Sequence, residues 1–188
     1  MTCIVGLKDS GRIWMGGDSA GVANWDLQTR LDGKVFRNGP FIMGFTTSFR
    51  MGQLLRHSLA VPEHRDGQSV EAFMATTFID AVRDCLKAGG FAAKTNDRED
   101  AGNFLVGYRD RLFEISSDYQ VGENATGFAA CGCGFAYALG SLSETDGLPP
   151  RERVMRALVC AERFSAGVRG PMNIIASDDA VPLALAAE

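Results

Sequence analysis

The stretch TCIVGLKDSGRIWMGGDS, residues 2–19, contains two short apolar runs separated by one turn signal. The tripeptide DSG at 9–11 is typical of a tight turn, and the runs on either side cover 3–8 and 12–18. Apolar side chains dominate both runs and include several β-branched residues. This stretch therefore predicts an antiparallel hairpin at the start of the fold.

Thr2 directly follows the initiator methionine, and its small side chain allows methionine aminopeptidase to remove Met1. Removal would leave a hydroxyl and a free α-amine on the same residue. An unperturbed α-amine titrates near pH ~7.7–8.0, so it can accept a proton from the hydroxyl at physiological pH. A threonine hydroxyl beside such an amine is an activated nucleophile. Thr2 is therefore the candidate nucleophile, but a chain that keeps Met1 has no free amine there.

Asp18 and Lys34 continue a regular spacing, because each lies sixteen residues beyond the previous candidate. A lysine close to Thr2 would lower the pKa of the nearby ammonium and hydroxyl, since like charges disfavour protonation. Asp18 would pair with Lys34 and fix its direction. The alternative is structural, with Asp18 capping the turn after the glycines at 16–17 and Lys34 lying at a solvated strand end.

Taken with their surroundings, these residues resemble the start of a proteasome-type β subunit. The matching segments are TCIVGL at 2–7, DSG at 9–11, IWMGGDS at 13–19, KVF at 34–36, FIMGF at 41–45 and the glycine-rich GCGFAYALG at 132–140. The resemblance is greatest to small bacterial members, namely the peptidase subunit of the two-component ATP-dependent protease and the short bacterial proteasome homologues. It covers almost the whole chain.

The resemblance implies an α+β fold, a four-layer αββα sandwich of two antiparallel sheets between helical layers, of the N-terminal nucleophile hydrolase type. It implies a threonine-type peptidase subunit of a self-compartmentalised ring protease. The implied partners are five or six further copies of the chain in a ring, with stacking as an option, and an ATP-dependent unfoldase. The implied substrates are peptides or unfolded proteins.

The resemblance also assigns roles to later residues. Glu162 and Ser165 lie three apart on the last predicted helix, where the family's acid and serine assist the N-terminal amine. The family usually has aspartate in place of Glu162. Cys133 stands where the family usually has a serine that hydrogen-bonds near the threonine, and a thiol is a weaker donor and acceptor.

The oxyanion site in the family is a backbone N–H in the turn between a strand and the following helix. Here that turn reads FTTSF at 45–49, after the strand that ends near Gly44. Glycine is typical of the donor position, but a backbone donor does not require it. We assign Thr47 to this role, with Gly44 as the alternative.

Hydrophobic periodicity alone predicts only an α+β chain. Strands are expected at 3–8, 12–18, 34–37, 41–46, 103–108, 111–117, 118–122, 127–131 and 172–176. Helices are expected from Met51 to before Pro62, from Val70 to Leu86 with Ser69 as N-cap, from Phe135, and from Pro150. Residues 20–33 are expected to be a loop or irregular strand, and 91–102 an exposed loop.

Composition favours a compact enzyme subunit. The 188 residues predict a single proteasome β-like domain, residues 1–188, with a net charge of −4 that argues against nucleic acid or an anionic membrane as partner. Charges within the first twenty residues argue against a signal peptide, and no apolar run reaches the ~20 residues of a membrane span. We therefore expect a cytoplasmic protein.

The five cysteines do not form a metal-binding pattern. Cys131 and Cys133 make a CxC without a second pair or histidine cluster at ligand spacing, so no metal or cofactor is expected. Free buried thiols in a reducing compartment are the expected state.

Three functions remain open at this stage. They are the threonine peptidase, a catalytically silent structural ring subunit of the same fold, and an N-terminal nucleophile amidohydrolase acting on a small amide. The segment 48–61 carries Met51, Leu54, Leu55 and Leu59 on one side, and also Phe49 and the run LAV at 59–61. This is more apolar surface than one core contact needs, and it favours a ring contact. The alternative is that these residues belong to the subunit's own core.

Overall fold

Two antiparallel sheets pack face to face between helices in the computed structural model, which describes residues 1–95 and 98–179. The strands are β1 (Cys3–Asp9), β2 (Arg12–Gly17), β3 (Ala20–Ala23), β4 (Asp26–Thr29), β5 (Val35–Asn38), β6 (Phe41–Phe45), β7 (Ala93–Thr95), β8 (Arg98–Asp100), β9 (Phe104–Tyr108), β10 (Arg111–Ile115), β11 (Val121–Glu123), β12 (Phe128–Gly132) and β13 (Asn173–Ala176). The helices are α1 (Phe49–His57), α2 (Val70–Phe73), α3 (Ile79–Ala88), α4 (Phe135–Glu144) and α5 (Pro150–Phe164).

The first sheet has the strand order β12-β1-β2-β13 and the second has β11-β10-β9-β6-β5. All pairs within both sheets are antiparallel. The hairpin expected from residues 2–19 is confirmed, since β1 pairs with β2 from Ile4 opposite Gly17 to Asp9 opposite Arg12. Ser10 and Gly11 have positive φ values of 49° and 76°, which is the backbone that such a turn requires.

Three layers of buried side chains hold the four layers of structure together. The outer layer under α1 and α3 contains many aromatic residues, among them Phe41, Phe73, Phe78 and Phe104. The central layer, between the sheets, consists of Ile4, Ile13, Met15, Val35, Ile42, Leu105, Leu112, Ala129 and Cys131. The third layer, beneath α4 and α5, includes Val154, Leu158 and Ala161. This αββα sandwich is the predicted architecture.

Gly16 shows why the glycine pair before Asp18 matters for the fold. A Cβ added at Gly16 would lie 2.6 Å from Val154 Cγ1 and 2.8 Å from Leu158 Cδ1. Helix α5 therefore packs directly on the backbone of β2, next to the strand end that carries Asp18.

The helix predicted from Val70 is confirmed with its cap. Ser69 accepts a hydrogen bond from Ala72 N, and Gly90 after the helix has a φ of 70°. The periodicity did not predict a π-helical turn, Met74–Phe78, that joins α2 to α3. This turn keeps Met74 and Phe78 in the core.

The apolar residues of α1 do not form a contact surface. Met51, Leu54 and Leu55, and Leu59 just beyond the helix, are all buried in the chain's own core. The prediction that segment 48–61 presents surplus apolar surface for ring assembly is therefore wrong, because the helix packs on the second sheet and on α3.

Three predicted segments also differ in the structure. Residues 20–33 include a regular hairpin, β3 with β4, and 91–102 contain the paired strands β7 and β8, with residues 96–97 outside the described residues. The strand expected at 118–122 is displaced, because Tyr119 adopts a positive φ of 66° in a turn and β11 begins only at Val121. These strands have only three or four residues each, too few for a clear alternation of apolar and polar side chains.

Within residues 1–95 and 98–179, no helix is both long and apolar enough to cross a bilayer.

Candidate active site

Thr2 lies at the start of β1, under Met1, with only 5% of its surface exposed. Its backbone N–H donates to Cys133 Sγ at 3.3 Å, and Gly134 N–H donates to the Thr2 carbonyl at 3.4 Å. The Thr2 hydroxyl donates a short hydrogen bond to the Met1 carbonyl oxygen. The candidate nucleophile is thus held between the first sheet and the turn that follows β12.

Asp18 and Lys34 form a buried ion pair next to Thr2. Lys34 Nζ donates to Asp18 Oδ1 at 2.9 Å, and both side chains are about 1% exposed or less. The same carboxylate oxygen accepts the N–H of Cys3 at 3.0 Å. Because Cys3 is the neighbour of Thr2, this shared oxygen places the lysine ammonium beside the candidate nucleophile. The alternative of a solvated Lys34 is excluded by its burial.

The carboxylate of Asp18 is held by backbone donors as well as by Lys34. Its Oδ2 accepts from Ala20 N at 2.9 Å and from Arg169 N at 3.3 Å. Three backbone N–H groups and one ammonium therefore satisfy a carboxylate that is closed to solvent, which is the condition for a buried charge to persist.

Burial is the main influence on the Lys34 ammonium. It lowers the pKa of Lys34 below its ordinary value, while the negative charge and hydrogen bond of Asp18 oppose that shift. Burial also raises the pKa of the neighbouring Cys3 thiol to about 12, with the Asp18 charge adding to the effect. The Cys3 thiol is therefore protonated and unreactive, and it packs as a small hydrophobe.

Cys133 links Thr2 to Ser165. Its Sγ accepts from Thr2 N, donates to the Thr2 carbonyl at 3.4 Å, and accepts from Ser165 Oγ at 3.3 Å. Gly132 just before it has a φ of 96°, and a Cβ there would lie 2.3 Å from the Thr2 carbonyl oxygen. All five cysteines are free, as expected, but only Cys3 and Cys131 are buried as predicted: Cys85 and Cys160 are partly buried, and Cys133, which follows the last residue of β12, is exposed.

Glu162 and Ser165 lie at the C-terminal end of α5 and have different hydrogen-bond partners. Ser165 caps the helix and reaches Cys133. Glu162 Oε1 accepts from Gly170 N at 2.9 Å and lies 4.0 Å from Arg169 Nη1. Glu162 thus fastens the segment 165–170, whose backbone at Arg169 holds Asp18.

Thr47 occupies a strained position in the turn between β6 and α1. Its φ is 65°, which is unfavourable for a β-branched residue and acceptable for glycine. The Thr47 N–H has no acceptor among the described residues, and Asn103 N donates to the Thr47 hydroxyl at 3.3 Å. Gly44, the alternative, is instead a strand residue packed between the sheets, where an added Cβ would lie 2.5 Å from Ile4 Cγ2.

A small cavity of about 50 Å³ adjoins Thr2. Its lining consists of Met1, Thr2, Val22, Phe45, Thr46, Thr47, Ser48 and Phe49. Thr2 and Thr47 therefore border the same small space, together with Met1. No group of three or more histidine, cysteine, aspartate or glutamate side chains within the described ranges could hold a metal ion.

Solved structures share this architecture, although no protein-family model and no curated protein sequence matches the chain. Thiobacillus denitrificans BPH superimposes with a TM-score of 0.77 at 18% identity, covering 93% of this chain and 97% of that one. HslV from Trypanosoma brucei gives a TM-score of 0.67 at 15% identity, with 93% and 98% covered. Anbu, an ancestral β-subunit, from Yersinia bercovieri gives 0.64 at 17% identity, with 93% and 81% covered. The chain has the proteasome-type fold.

The resemblance seen in the sequence is thus confirmed at the level of the fold. Within that proteasome-type fold the structure brings together Thr2, Asp18, Lys34, Cys133 and Ser165, and it places Thr47 across the small cavity from Thr2. Glu162 contacts the site through the segment 165–170.

Sequence reasoning missed the backbone donors of Ala20 and Arg169, and the two phenylalanines of the cavity. Backbone N–H groups are common to almost all residues, so only the fold reveals them. Phe45 and Phe49 lie at the two ends of the predicted turn, two residues from Thr47, and this short distance along the chain was the one indication in the sequence that they line the cavity.

Proposed function

We propose that this chain, residues 1–188 as one proteasome β-like domain, is the peptidase subunit of a self-compartmentalised ring protease. Thr2, freed of Met1, acts as the nucleophile on peptide bonds. The observation that carries this proposal is the fully buried Lys34–Asp18 pair, whose shared carboxylate oxygen also holds the N–H next to Thr2. A protein gains little stability from a buried ion pair, so such a pair beside a threonine favours a role in chemistry.

The first step is attack of Thr2 Oγ1 on the carbonyl carbon of the scissile peptide bond. The proton of the hydroxyl passes to the Thr2 α-amine, which is neutral because the Lys34 charge disfavours its protonation. Collapse of the tetrahedral intermediate breaks the C–N bond, and the α-ammonium returns the proton to the leaving amine. Water then hydrolyses the ester with the same amine as base, which restores Thr2.

The negative oxygen of the tetrahedral intermediate needs preorganised donors. The Thr47 N–H is suited to this role because it has no acceptor among the described residues and belongs to a residue that borders the same cavity as Thr2. The positive φ of Thr47 turns this N–H away from the strand ladder, at a cost that functional sites commonly carry. Cys133 would hold the α-amine through its sulfur, and Ser165 would orient that sulfur.

A silent structural subunit is the second candidate, and one observation favours it. With Met1 in place, the Thr2 hydroxyl is bonded to the Met1 carbonyl and its nitrogen is an amide without basicity. A Cβ added at Gly167 would lie 2.3 Å from Met1 Cβ, so Met1 packs closely on that backbone. If Met1 is retained in the cell, the chain has the fold without the nucleophile.

Exposed apolar side chains support assembly into a ring of six or seven subunits. Phe135, Tyr137 and Phe164 are each more than two-fifths exposed, and the Tyr137 and Phe164 rings lie 5.6 Å apart. Trp25 and Leu31 are almost fully exposed near the β3–β4 hairpin. Clustered apolar side chains such as Tyr137 and Phe164 are typical of interaction sites, and closed rings are a common way to bury them. An ATP-dependent unfoldase as partner and a cytoplasmic location complete the proposal, and the free cysteines fit a reducing compartment.

Intact mass spectrometry on the purified chain, with a fluorogenic peptide assay, tests the proposal. We expect a mass lacking Met1, and we expect Thr2→Ala to abolish hydrolysis with an unchanged circular dichroism spectrum. Since the similar Thiobacillus denitrificans BPH was solved in complex with epoxomicin, epoxomicin is the matched probe. It should bind wild type and not Thr2→Ala. Full hydrolysis by Thr2→Ala, or an active preparation that retains Met1, would refute the mechanism.

A further inference from the structure

The Cys133 thiol touches the nitrogen of the candidate nucleophile. Its Sγ lies 3.3 Å from Thr2 N and 3.4 Å from the Thr2 carbonyl oxygen. Ser165 Oγ donates to the same sulfur at 3.3 Å. Cys133 is exposed, whereas Thr2 is almost fully buried. A small reagent from solvent therefore has access to the sulfur, and the Thr2 nitrogen already lies beside it.

This contact is built into the sheet and not into the position of Met1. Strand β1 pairs with β12 from Cys3 opposite Gly132, which joins the strand end that carries Thr2 to the turn that carries Cys133. A Cβ added at Gly132 would lie 2.3 Å from the Thr2 carbonyl oxygen, so the two backbones are in close contact there. The nitrogen and the sulfur are therefore neighbours whether that nitrogen is an amide or, once Met1 is removed, an α-amine.

The two fully buried thiols are poorer partners for Cys133 than this nitrogen. Burial raises the pKa of the Cys3 thiol to about 12 and raises the pKa of the Cys131 thiol well above its ordinary value. A thiol joins an oxidised sulfur as its thiolate, so a thiol that stays protonated reacts slowly. Cys131 also packs in the layer between the sheets, away from solvent. The Thr2 nitrogen does not have these disadvantages.

We propose that Cys133 is a peroxide-reactive modification site, at which its sulfur becomes covalently joined to the Thr2 nitrogen as a sulfenamide. Sulfenic acids condense with nitrogen in this way when the nitrogen is adjacent. The bond removes the base of the proposed mechanism, and a thiol reductant restores that base. The loss of hydrolysis rests on the proposed peptidase function, whereas formation of the bond does not.

The bond forms in two steps. The Cys133 thiolate attacks one oxygen of hydrogen peroxide, the O–O bond breaks, and a sulfenic acid and hydroxide form. The proton released by the thiol, which the Thr2 amine can hold, converts that hydroxide to water. The nitrogen lone pair then attacks the sulfur, the S–O bond breaks, and a second water leaves with a proton from the nitrogen. The sulfur is oxidised and the peroxide is reduced. In a chain that keeps Met1, the backbone amide nitrogen takes the place of the amine.

Reduction of the sulfenamide consumes two thiols. The first attacks the Cys133 sulfur and breaks the S–N bond, which leaves a mixed disulfide and returns a proton to the Thr2 nitrogen. The second attacks the mixed disulfide and releases the Cys133 thiol. Dithiothreitol supplies both thiols in one molecule, so it is the reductant for the test.

Intact mass and tryptic mapping of the protein treated with hydrogen peroxide test the inference. We expect a mass lower by two hydrogens, and a cross-link between the N-terminal peptide that ends at Lys8 and the peptide 112–151, both removed by dithiothreitol. Cys133→Ser should show neither change. Cys85→Ser is the matched control and should show both, because Cys85 is a partly buried thiol that packs in the outer layer under α1 and α3.

Cys3→Ala distinguishes the sulfenamide from a disulfide. A disulfide between Cys133 and Cys3 would join the same two peptides, and this variant is unable to form it, so we expect the cross-link to persist. Tandem mass spectrometry of the wild-type cross-link gives the same answer without a substitution. Fragments of the N-terminal peptide that begin at Cys3 should carry no modification, because the link lies on the Thr2 nitrogen.

Thr2→Ala separates the inference from the peptidase function. Alanine also permits removal of Met1, so this variant should be inactive and still form the cross-link. Wild type should lose hydrolysis as the cross-link forms and regain it with dithiothreitol. An unchanged mass, a gain of oxygen without the cross-link, or a cross-link that Cys3→Ala abolishes overturns the inference and leaves the peptidase function standing. A cross-link at the Thr2 nitrogen in a wild type that hydrolyses no peptide supports the inference and refutes the function.

Discussion

Replacing Asp18 by asparagine removes the one carboxylate that pairs with Lys34 among residues 1–95 and 98–179, and it keeps the side chain's shape. Lys34 Nζ has no hydrogen-bond acceptor other than Asp18 among the described residues. An unpaired ammonium in this closed site is unfavourable, so Lys34 should lose its proton in the folded variant. Asp18→Asn therefore destabilises the fold by an amount that depends on pH.

The cost of deprotonation follows from the pKa of an unfolded lysine, about 10.4, at 1.36 kcal/mol per pH unit. It is about 4.6 kcal/mol at pH 7 and about 1.9 kcal/mol at pH 9. The sign is set by the unfolded chain, which binds a proton that the folded variant lacks, so raising the pH favours the folded state. A constant cost of about 1–3 kcal/mol adds to this, because the amide has one acceptor oxygen where Asp18 has two for its backbone donors.

The assay is urea unfolding followed by circular dichroism at pH 7, 8 and 9, with wild type measured in parallel. Lys34→Met serves as the matched variant: the Asp18 carboxylate keeps three backbone donors, so we expect a smaller loss of about 1.5–3 kcal/mol without pH dependence. The double variant should lose the pH dependence as well. A cost of Asp18→Asn that is equal at pH 7 and pH 9 would refute a buried, proton-releasing Lys34.

Three further predictions concern activity and assembly. Lys34→Ala should reduce peptide hydrolysis nearly as much as Thr2→Ala. The double variant should be no less active than Thr2→Ala, since the losses from residues that act as one unit are not additive. If the two rate reductions multiply in the double variant, the residues do not share a mechanism. Iodoacetamide should alkylate exposed Cys133 and stop hydrolysis, because Cys133 Sγ lies 3.3 Å from Thr2 N, while Cys3, with a pKa of about 12, stays unmodified; Cys133→Ser should stay active in the reagent. Native mass spectrometry at micromolar concentration should show six or seven subunits or twice that number, and a strictly monomeric species would favour the small-amide hydrolase.

The sequence predicted those parts of the fold in which apolar residues recur with a clear period. The hairpin of residues 2–19 and the helix from Val70 are correct to within about a residue or two because their buried faces are uninterrupted. The short hairpins β3–β4 and β7–β8 were missed, since each strand has only three or four residues and shows no clear alternation of apolar and polar side chains. The four-layer arrangement followed from the resemblance and not from periodicity.

For the site, the sequence singled out side chains that the structure places close together, but it did not indicate the backbone groups that hold them. Of the three equally spaced residues, Asp18 and Lys34 are in direct contact, and Asp18 also accepts the N–H of Cys3, the neighbour of Thr2. What could not be predicted is the clamp on Asp18, which uses the N–H groups of Cys3, Ala20 and Arg169. The burial of the α1 residues was likewise a tertiary property that the segment's own sequence left open.

The arrangement of β1 has a consequence for maturation. Strand pairing begins at Cys3, opposite Gly132, so Met1 makes no contribution to the sheet ladder. The Thr2 carbonyl and the Cys3 N–H are already fixed by Gly134, Cys133 and Asp18 while Met1 is present. Loss of Met1 therefore frees the Thr2 hydroxyl from the Met1 carbonyl and creates an α-amine beside the buried Lys34 ammonium, without any rearrangement of the strands. In the mechanism that we propose, cleavage of this one peptide bond supplies both the nucleophile and its base, while the strands that hold them are already in place.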